Sequence, residues 1–184
     1  MTASIIEKSN KGLFENEIEL NGKYATIIRH LRDDLGIFTT FREAYLTAAV
    51  IGFAYNKMGT DDNSEKVQPA SIFPSELSRR KHDLKLLYSI FILVNDNPDY
   101  TIEDYMNRAF RYDADEGNTE NLKENMAVFN SYVCGGLEYL QERFDGLDKT
   151  ADVVDTLYEL VHEFAVGVKL IEDDDLPDFT PTFE

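Results

Sequence analysis

Residues 37–57 read IFTTFREAYLTAAVIGFAYNK, and this stretch decides the fold. From Ala44 to Tyr55 it carries no charged residue, and Thr47 is its only conventional polar side chain. A helix of that composition has no face to offer water, so the remaining chain is expected to wrap around it. Thr39 or Thr40 supplies the N-cap, accepting a hydrogen bond from a free amide of the first turn.

Outward from this helix, amphipathic patterns recur on both sides. Toward the N-terminus, Tyr24, Ile27, Ile28, Leu31 and Leu35 repeat at helical spacing over 23–34, with Arg29, Arg32 and Asp33 on the other face and Gly36 as the stop. Residues 1–22 are polar and punctuated by Asn and Gly, which suits an arm or short hairpin. Ile18 and Leu20 alternate there with acids and Asn21, as in a small strand.

Toward the C-terminus, MGTDDNSEKVQPASIFPS (58–75) reads as an exposed loop whose far end Ile72 and Phe73 pin to the core. A helix over 76–95 follows, charged in its first half and apolar in its second, and its apolar half is expected to bury against the central helix. Thr101, with Asp104 three residues on, starts a shorter helix whose stripe is Ile102, Tyr105, Met106, Ala109 and Phe110. After a turn at 116–118, Leu122, Met126, Phe129, Val133, Leu137, Leu140 and Phe144 form the clearest amphipathic pattern in the chain. The pair Gly135–Gly136 inside it costs about 1 kcal/mol per glycine relative to alanine, which a close backbone approach or a kink would explain. A last helix over 150–172 buries Val153, Leu157, Leu160, Phe164, Val168 and Ile171. The expected architecture is an all-α, compact bundle of five to six helices around a buried central helix. It has an N-terminal arm (1–22), a helical domain (23–172) and an acidic tail (173–184).

A net charge of −17 over 184 residues argues against a generally basic nucleic-acid-binding surface. Much of it is local: residues 145–184 hold 12 acids and 2 basic side chains, −10 of the −17. One cysteine excludes an internal disulfide and a multi-cysteine zinc site. The beginning MTASIIEKSNKG lacks a signal peptide's apolar run, and no uncharged stretch approaches the roughly 20 residues of a membrane span. The expectation is a soluble, cytoplasmic protein without membrane partners.

Few residues suggest chemistry. Glu159 and His162 have the spacing of one half of a carboxylate-bridged di-iron site, but no second Glu-x-x-His exists. Cys134 lies in an apolar helix and reads as a buried structural thiol. No phosphate loop, nucleophile elbow or zinc spacing occurs. Neither a catalytic residue, a metal ligand nor a cofactor is assigned. Arg79, Arg80, Lys81 and Lys85, with His82, form the one dense basic cluster, joined in a second contribution by Arg29, His30 and Arg32. They are candidates for nucleic-acid contact. Leu176, Phe179 and Phe183 within the acidic tail are candidates for partner docking.

The central helix also carries a resemblance. Phe41, Ala48, Ala49, Gly52 and Phe53, followed by Gly135, Gly136, Leu137, Glu138 and Leu140, resemble the pattern of small helical proteins associated with bacterial Dnd systems, which handle DNA phosphorothioation and restriction of unmodified DNA. The resemblance spans roughly 23–144 and implies an accessory role in defence, with no catalytic residue to transfer. Asp61 and Asp62 depart from the basic stretch expected after Gly-Phe, which counts against DNA contact by this loop. The leading expectation is a non-enzymatic accessory subunit docking to larger proteins of a defence or DNA-processing complex. The alternatives are direct DNA contact through 79–85, or an acidic surface that imitates DNA and inhibits a partner.

Overall fold

A computed structural model describes residues 5–7, 12–60, 62, 66–95, 97–112, 119–148 and 150–167. The chain divides into two compact units, Met1–Arg143 and Phe144–Glu184.

The first unit opens with β1 (Ile5–Glu7) and β2 (Ile18–Leu20), then α1 (Gly22–Arg29), which runs into a π-helical turn at His30–Asp34. Gly36, at φ 67°, stops it in the left-handed conformation that glycine adopts without strain. The central helix, α2, spans Phe41–Ala54. Thr40 caps it, its hydroxyl accepting from the Glu43 amide at 3.2 Å, while the Thr39 hydroxyl donates to the Glu43 carboxylate at 2.5 Å. Ala44, Tyr45, Ala48, Ala49, Ile51 and Gly52 are buried, while Leu46, Val50 and Phe53 on the other side are half-buried and Ala54 is exposed, so the helix is largely but not wholly enclosed.

β3 (Ala70–Ile72) pairs antiparallel with β2, Ile18 opposite Ile72, and β2 pairs with β1, Ile5 opposite Leu20. Ile18, Leu20, Ala70 and Ile72 are buried, the two-residue period of a strand with one face on the core. The strand expected at Ile18 and Leu20 is present. β3 lies inside the stretch read as loop, and Phe73 is exposed where it was expected to be anchored.

The helix expected over 76–95 is two: α3 (Pro74–Ser78) and α4 (Lys81–Val94). Leu77 is the only residue of α3 that buries, so this segment lacks an apolar stripe long enough to extend it. Arg80, at φ −125° and ψ 19°, breaks the helix. α5 (Ile102–Phe110) starts on a capping box: Asp104 accepts from the Thr101 amide at 2.9 Å and the Thr101 hydroxyl accepts from the Asp104 amide at 3.2 Å.

α6 (Thr119–Phe144) crosses α2 backbone to backbone. A methyl group on Gly136 would sit 1.9 Å from the Ala48 carbonyl oxygen, and one on Gly52 1.9 Å from that of Tyr132. Close approach, one of the two explanations open in the sequence, therefore accounts for Gly136. Gly135 serves a different neighbour: its Cβ would lie 2.1 Å from the carbonyl of Lys57, in the segment leaving α2. Around the crossing Phe53 stacks on Phe91 (4.3 Å), Phe91 on Phe129 (5.1 Å), and Phe14 meets Phe129 edge-on (5.5 Å). Such ring pairs stabilise beyond their buried area, by about 0.5–1.5 kcal/mol each.

The second unit contains α7 (Thr150–Gly167). Val153 and Leu160 are buried and Leu157 and Phe164 half-buried, while Val168 and Ile171 lie outside the described residues. Among the described residues no helix is long and apolar enough to cross a membrane. The helix-dominated fold is as expected, with seven α-helices described and a three-stranded sheet added.

Candidate functional site

The basic cluster sits at the α3–α4 junction. Arg79, Arg80 and His82 are exposed, and Lys81 and Lys85 are half-buried. Arg80 pairs with Asp83 at 3.1 Å, and Lys81 pairs with Glu15. The hydrogen bond from Lys81, with the charge of Lys81 and of Lys85 behind it, holds the Glu15 carboxyl below its ordinary range. Two carboxylates are thus already committed to this cluster. Arg29 is spent elsewhere, donating to the Pro69 carbonyl at 2.7 Å; Arg32 pairs with Asp33 and lies 3.7 Å over the Phe41 ring, and His30 bonds Asp34 at 2.8 Å. All three members of the second basic contribution therefore already have partners within the chain.

A polar cluster that the sequence does not announce joins α1, α6 and the segment after α2. The buried Tyr24 hydroxyl lies 2.7 Å from the Thr60 carbonyl and 2.6 Å from Glu138 Oε1, its single proton directed to these two acceptors. Lys23 pairs with Glu138 at 2.8 Å and with Asp62 at 3.7 Å. Burial first, and the Glu138 hydrogen bond second, push the Tyr24 phenol far above its ordinary range. The Glu138 bond raises Lys23, which stays charged. Tyr24 thus keeps its proton and serves as a fixed hydrogen-bond donor. The Gly59 amide donates to the Ser131 carbonyl at 2.8 Å, so the backbone after α2 is strapped along α6. Cys134 lies under that strap, buried, against Gly59.

A second hub is Arg108 on α5. Its guanidinium donates to Asn125 Oδ1 at 2.9 Å, to Asn121 Oδ1 at 3.3 Å and to Glu124 at 3.2 Å, and lies 4.2 Å over the Tyr100 ring. Asn125, itself buried, donates to the Tyr88 hydroxyl at 2.8 Å, and Ser89 donates to the Ala109 carbonyl at 2.9 Å. This network ties α4, α5 and α6 together.

The apolar half of α4, expected to bury against the central helix, buries on one side only, and the stripe of α5 lies mostly open. On α4, Leu84, Tyr88, Phe91 and Ile92 bury, but Leu86, Ile90, Leu93 and Val94 face solvent. On α5 only Ala109 buries; Ile102 is 84% exposed, and Met106 and Phe110 are exposed beside it. A cleft of about 270 Å³ between the two helices is lined by Leu86, Phe110, His82, Lys85 and Arg108 among others. The sequence held the signal: residues 86–94 have no charge on any face, more apolar surface than one core contact can cover.

In the second unit, α7 leaves Val154, Tyr158 and Val161 exposed at helical spacing, with Asp152, Asp155, Glu159 and Glu163 exposed on the neighbouring face. The His162 ring lies 6.3 Å from that of Tyr158. Among the described residues no group of three or more His, Cys, Asp or Glu side chains is placed to hold a metal. Leu176, Phe179 and Phe183 lie outside the described residues.

These are the features of a helical protein whose buried polar groups fix its packing and whose open apolar stripes lie at its surface. The family model of DNA sulphur modification system-associated protein 4 matches residues 18–165, and the chain belongs to that family. The family is associated with a DNA sulphur modification system, in agreement with the resemblance read from Phe41 to Leu140. No curated protein and no solved structure matches the chain.

Proposed function

We propose that this chain is a non-enzymatic accessory subunit of a DNA sulphur modification system, or of the defence complex attached to it, acting by docking to a larger protein. The observation that carries this is the α7 surface: an apolar stripe of Val154, Tyr158 and Val161 beside an acidic stripe of Asp152, Asp155, Glu159 and Glu163. An exposed apolar stripe flanked by exposed acids fits an apolar groove with a basic rim. The tail carries the same chemistry onward in sequence, with Leu176, Phe179 and Phe183 spaced among acids. Family membership supplies the setting.

The test is affinity purification of the full chain from a host that carries the modification genes, with bound proteins identified by mass. Wild-type protein is expected to retain a protein of that system. A Tyr158→Asp, Val161→Asp variant, and removal of 173–184, are expected to weaken that retention. Recovery of no defence or DNA-processing partner, or retention that both changes leave intact, would overturn the reading.

Exposure of Arg79, Arg80 and His82 favours a second reading, direct DNA contact through Arg79, Arg80, Lys81 and Lys85. It requires binding that weakens steeply with salt and strengthens when the acidic tail is removed. Absence of binding at low salt by the shortened protein would dismiss it. The pairing of Lys81 with Glu15 and of Arg80 with Asp83 supports placing it second.

A further inference from the structure

α4 and α5 form an antiparallel hairpin, as the Ser89–Ala109 hydrogen bond and the approach of the Tyr105 hydroxyl to Asn97 fix. Its outer face has three zones along the axis. At one end stand Arg79, Arg80, Lys81, His82 and Lys85; Asp83 pairs with Arg80 and Glu15 with Lys81, so four lysine and arginine charges meet two acids and the end stays basic. At the other stand Asp99, Glu103 and Asp104, with no lysine or arginine anywhere in 86–107. Between them run the exposed apolar side chains, Leu86, Ile90 and Leu93 on α4 and Phe110, Met106 and Ile102 on α5. Leu86 and Phe110 line one cleft, so the two stripes lie side by side at the basic end. The 14 residues of α4 separate the charged ends by about 20 Å at 1.5 Å per residue. That exceeds the roughly 8 Å over which salt screens charge at physiological strength, so the two ends do not neutralise each other within one copy.

We propose that this face joins two copies of the chain across a two-fold axis through the middle of the hairpin. A closed two-fold interface uses the same patch on both subunits, so the patch must complement itself. Rotation about such an axis lays apolar centre on apolar centre. It also sets the basic end of each copy against the acidic end of the other, at both ends at once. A heterologous partner would require no such polarity. The face carries it, and a contiguous exposed apolar surface of this kind marks an interaction site. The inference rests on the proposed docking role only in treating open apolar stripes as interfaces. It reserves α4–α5 for a second copy and leaves α7 to the larger partner, which makes the protein bivalent.

Sedimentation or light scattering of the full chain across the micromolar range is expected to give twice the chain's mass. Met106→Glu, a change at an already exposed position, is expected to give the single-chain mass with an unchanged helical spectrum. Two charge reversals make the test specific: Arg79→Glu with Arg80→Glu, and Asp99→Lys with Glu103→Lys. Alone, each sets like charges together and weakens the dimer by about tenfold or more, the equivalent of roughly 1.4 kcal/mol. Mixed, they restore attraction at both ends and form a heterodimer at wild-type strength. A wild-type chain that stays single, a dimer that Met106→Glu leaves intact, or a mixture that fails to pair would each overturn the proposal. Partner capture through α7 is read independently, so either idea can fail without the other.

Discussion

Gly136→Ala is the sharpest test of the α2–α6 crossing. In an isolated helix this change is favourable by about 1 kcal/mol, because alanine is the better helix former. Here the added carbon would stand 1.9 Å from the Ala48 carbonyl oxygen, 2.6 Å from its carbon and 2.9 Å from its Cα, all backbone atoms with no rotamer to change. A carbon–oxygen contact closes to about 3.3 Å, so the helices must separate by roughly 1.4 Å. Separation of that size loosens the aromatic cluster beside the crossing, and overpacking of a rigid core costs about 3 kcal/mol at its upper range. Net of propensity, a loss of roughly 2 kcal/mol is expected, a fall in Tm of about 4–8 °C for a chain of this size. The assay is thermal unfolding followed by far-ultraviolet circular dichroism. Two other glycines calibrate it. Gly135→Ala meets the Lys57 carbonyl at 2.1 Å, in a segment outside the helix that has more freedom to yield, so its loss should be smaller. Gly167→Ala meets nothing within 4 Å and should leave Tm unchanged or slightly raised. A Gly136→Ala protein melting at or above wild type would refute the reasoning.

Arg108→Met keeps the aliphatic stem but leaves the buried Asn125 Oδ1 without its donor, and charged hydrogen bonds of this kind are worth about 1.5–3 kcal/mol; a urea midpoint unchanged by the substitution would contradict the hub. Asp104→Asn tests a pH dependence. The Thr101 hydroxyl, with the Thr101 amide after it, holds the Asp104 carboxyl below its ordinary 3.8. A group depressed on folding stabilises fully above its unfolded value and loses that contribution as pH falls through the folded one. The wild-type advantage over Asp104→Asn in urea should therefore be present at neutral pH and close in strong acid, and a gap independent of pH would count against it.

The sequence made the helices readable because most of them bury one stripe against the core, and such a stripe repeats at a legible spacing. α2 was legible for the opposite reason: a dozen uncharged residues leave no charged side to turn to water. What stayed hidden depended on distance. Tyr24, Thr60 and Glu138 are far apart in the chain, and nothing local to any of them signals the other two. Arg108 looks like one more surface cation until Asn121, Glu124 and Asn125 arrive from the next helix. β3 is three residues long and needs β2 to be a strand at all. The stripe of α5 is apolar as its spacing indicates, yet Ile102, Met106 and Phe110 lie open, since periodicity reports which residues share a face and says nothing of what covers it. The basic cluster was legible as composition, but the acid that pairs with Lys81 comes from Glu15, 66 residues away.

The crossing of α2 and α6 also sets a problem of timing during synthesis. Gly52 and Gly136 are 84 positions apart, so at roughly 5–20 residues per second the groove along Ala48 and Gly52 waits about 4–17 s for its occupant to be made. Throughout that interval the least polar helix of the protein is on the wrong side of its own assembly, with its seam open to any other apolar strand or helix nearby. The nascent chain is then most dependent on the cell's holding factors, and the same small-residue seam that lets two backbones touch in the finished molecule is what it must keep covered until α6 emerges.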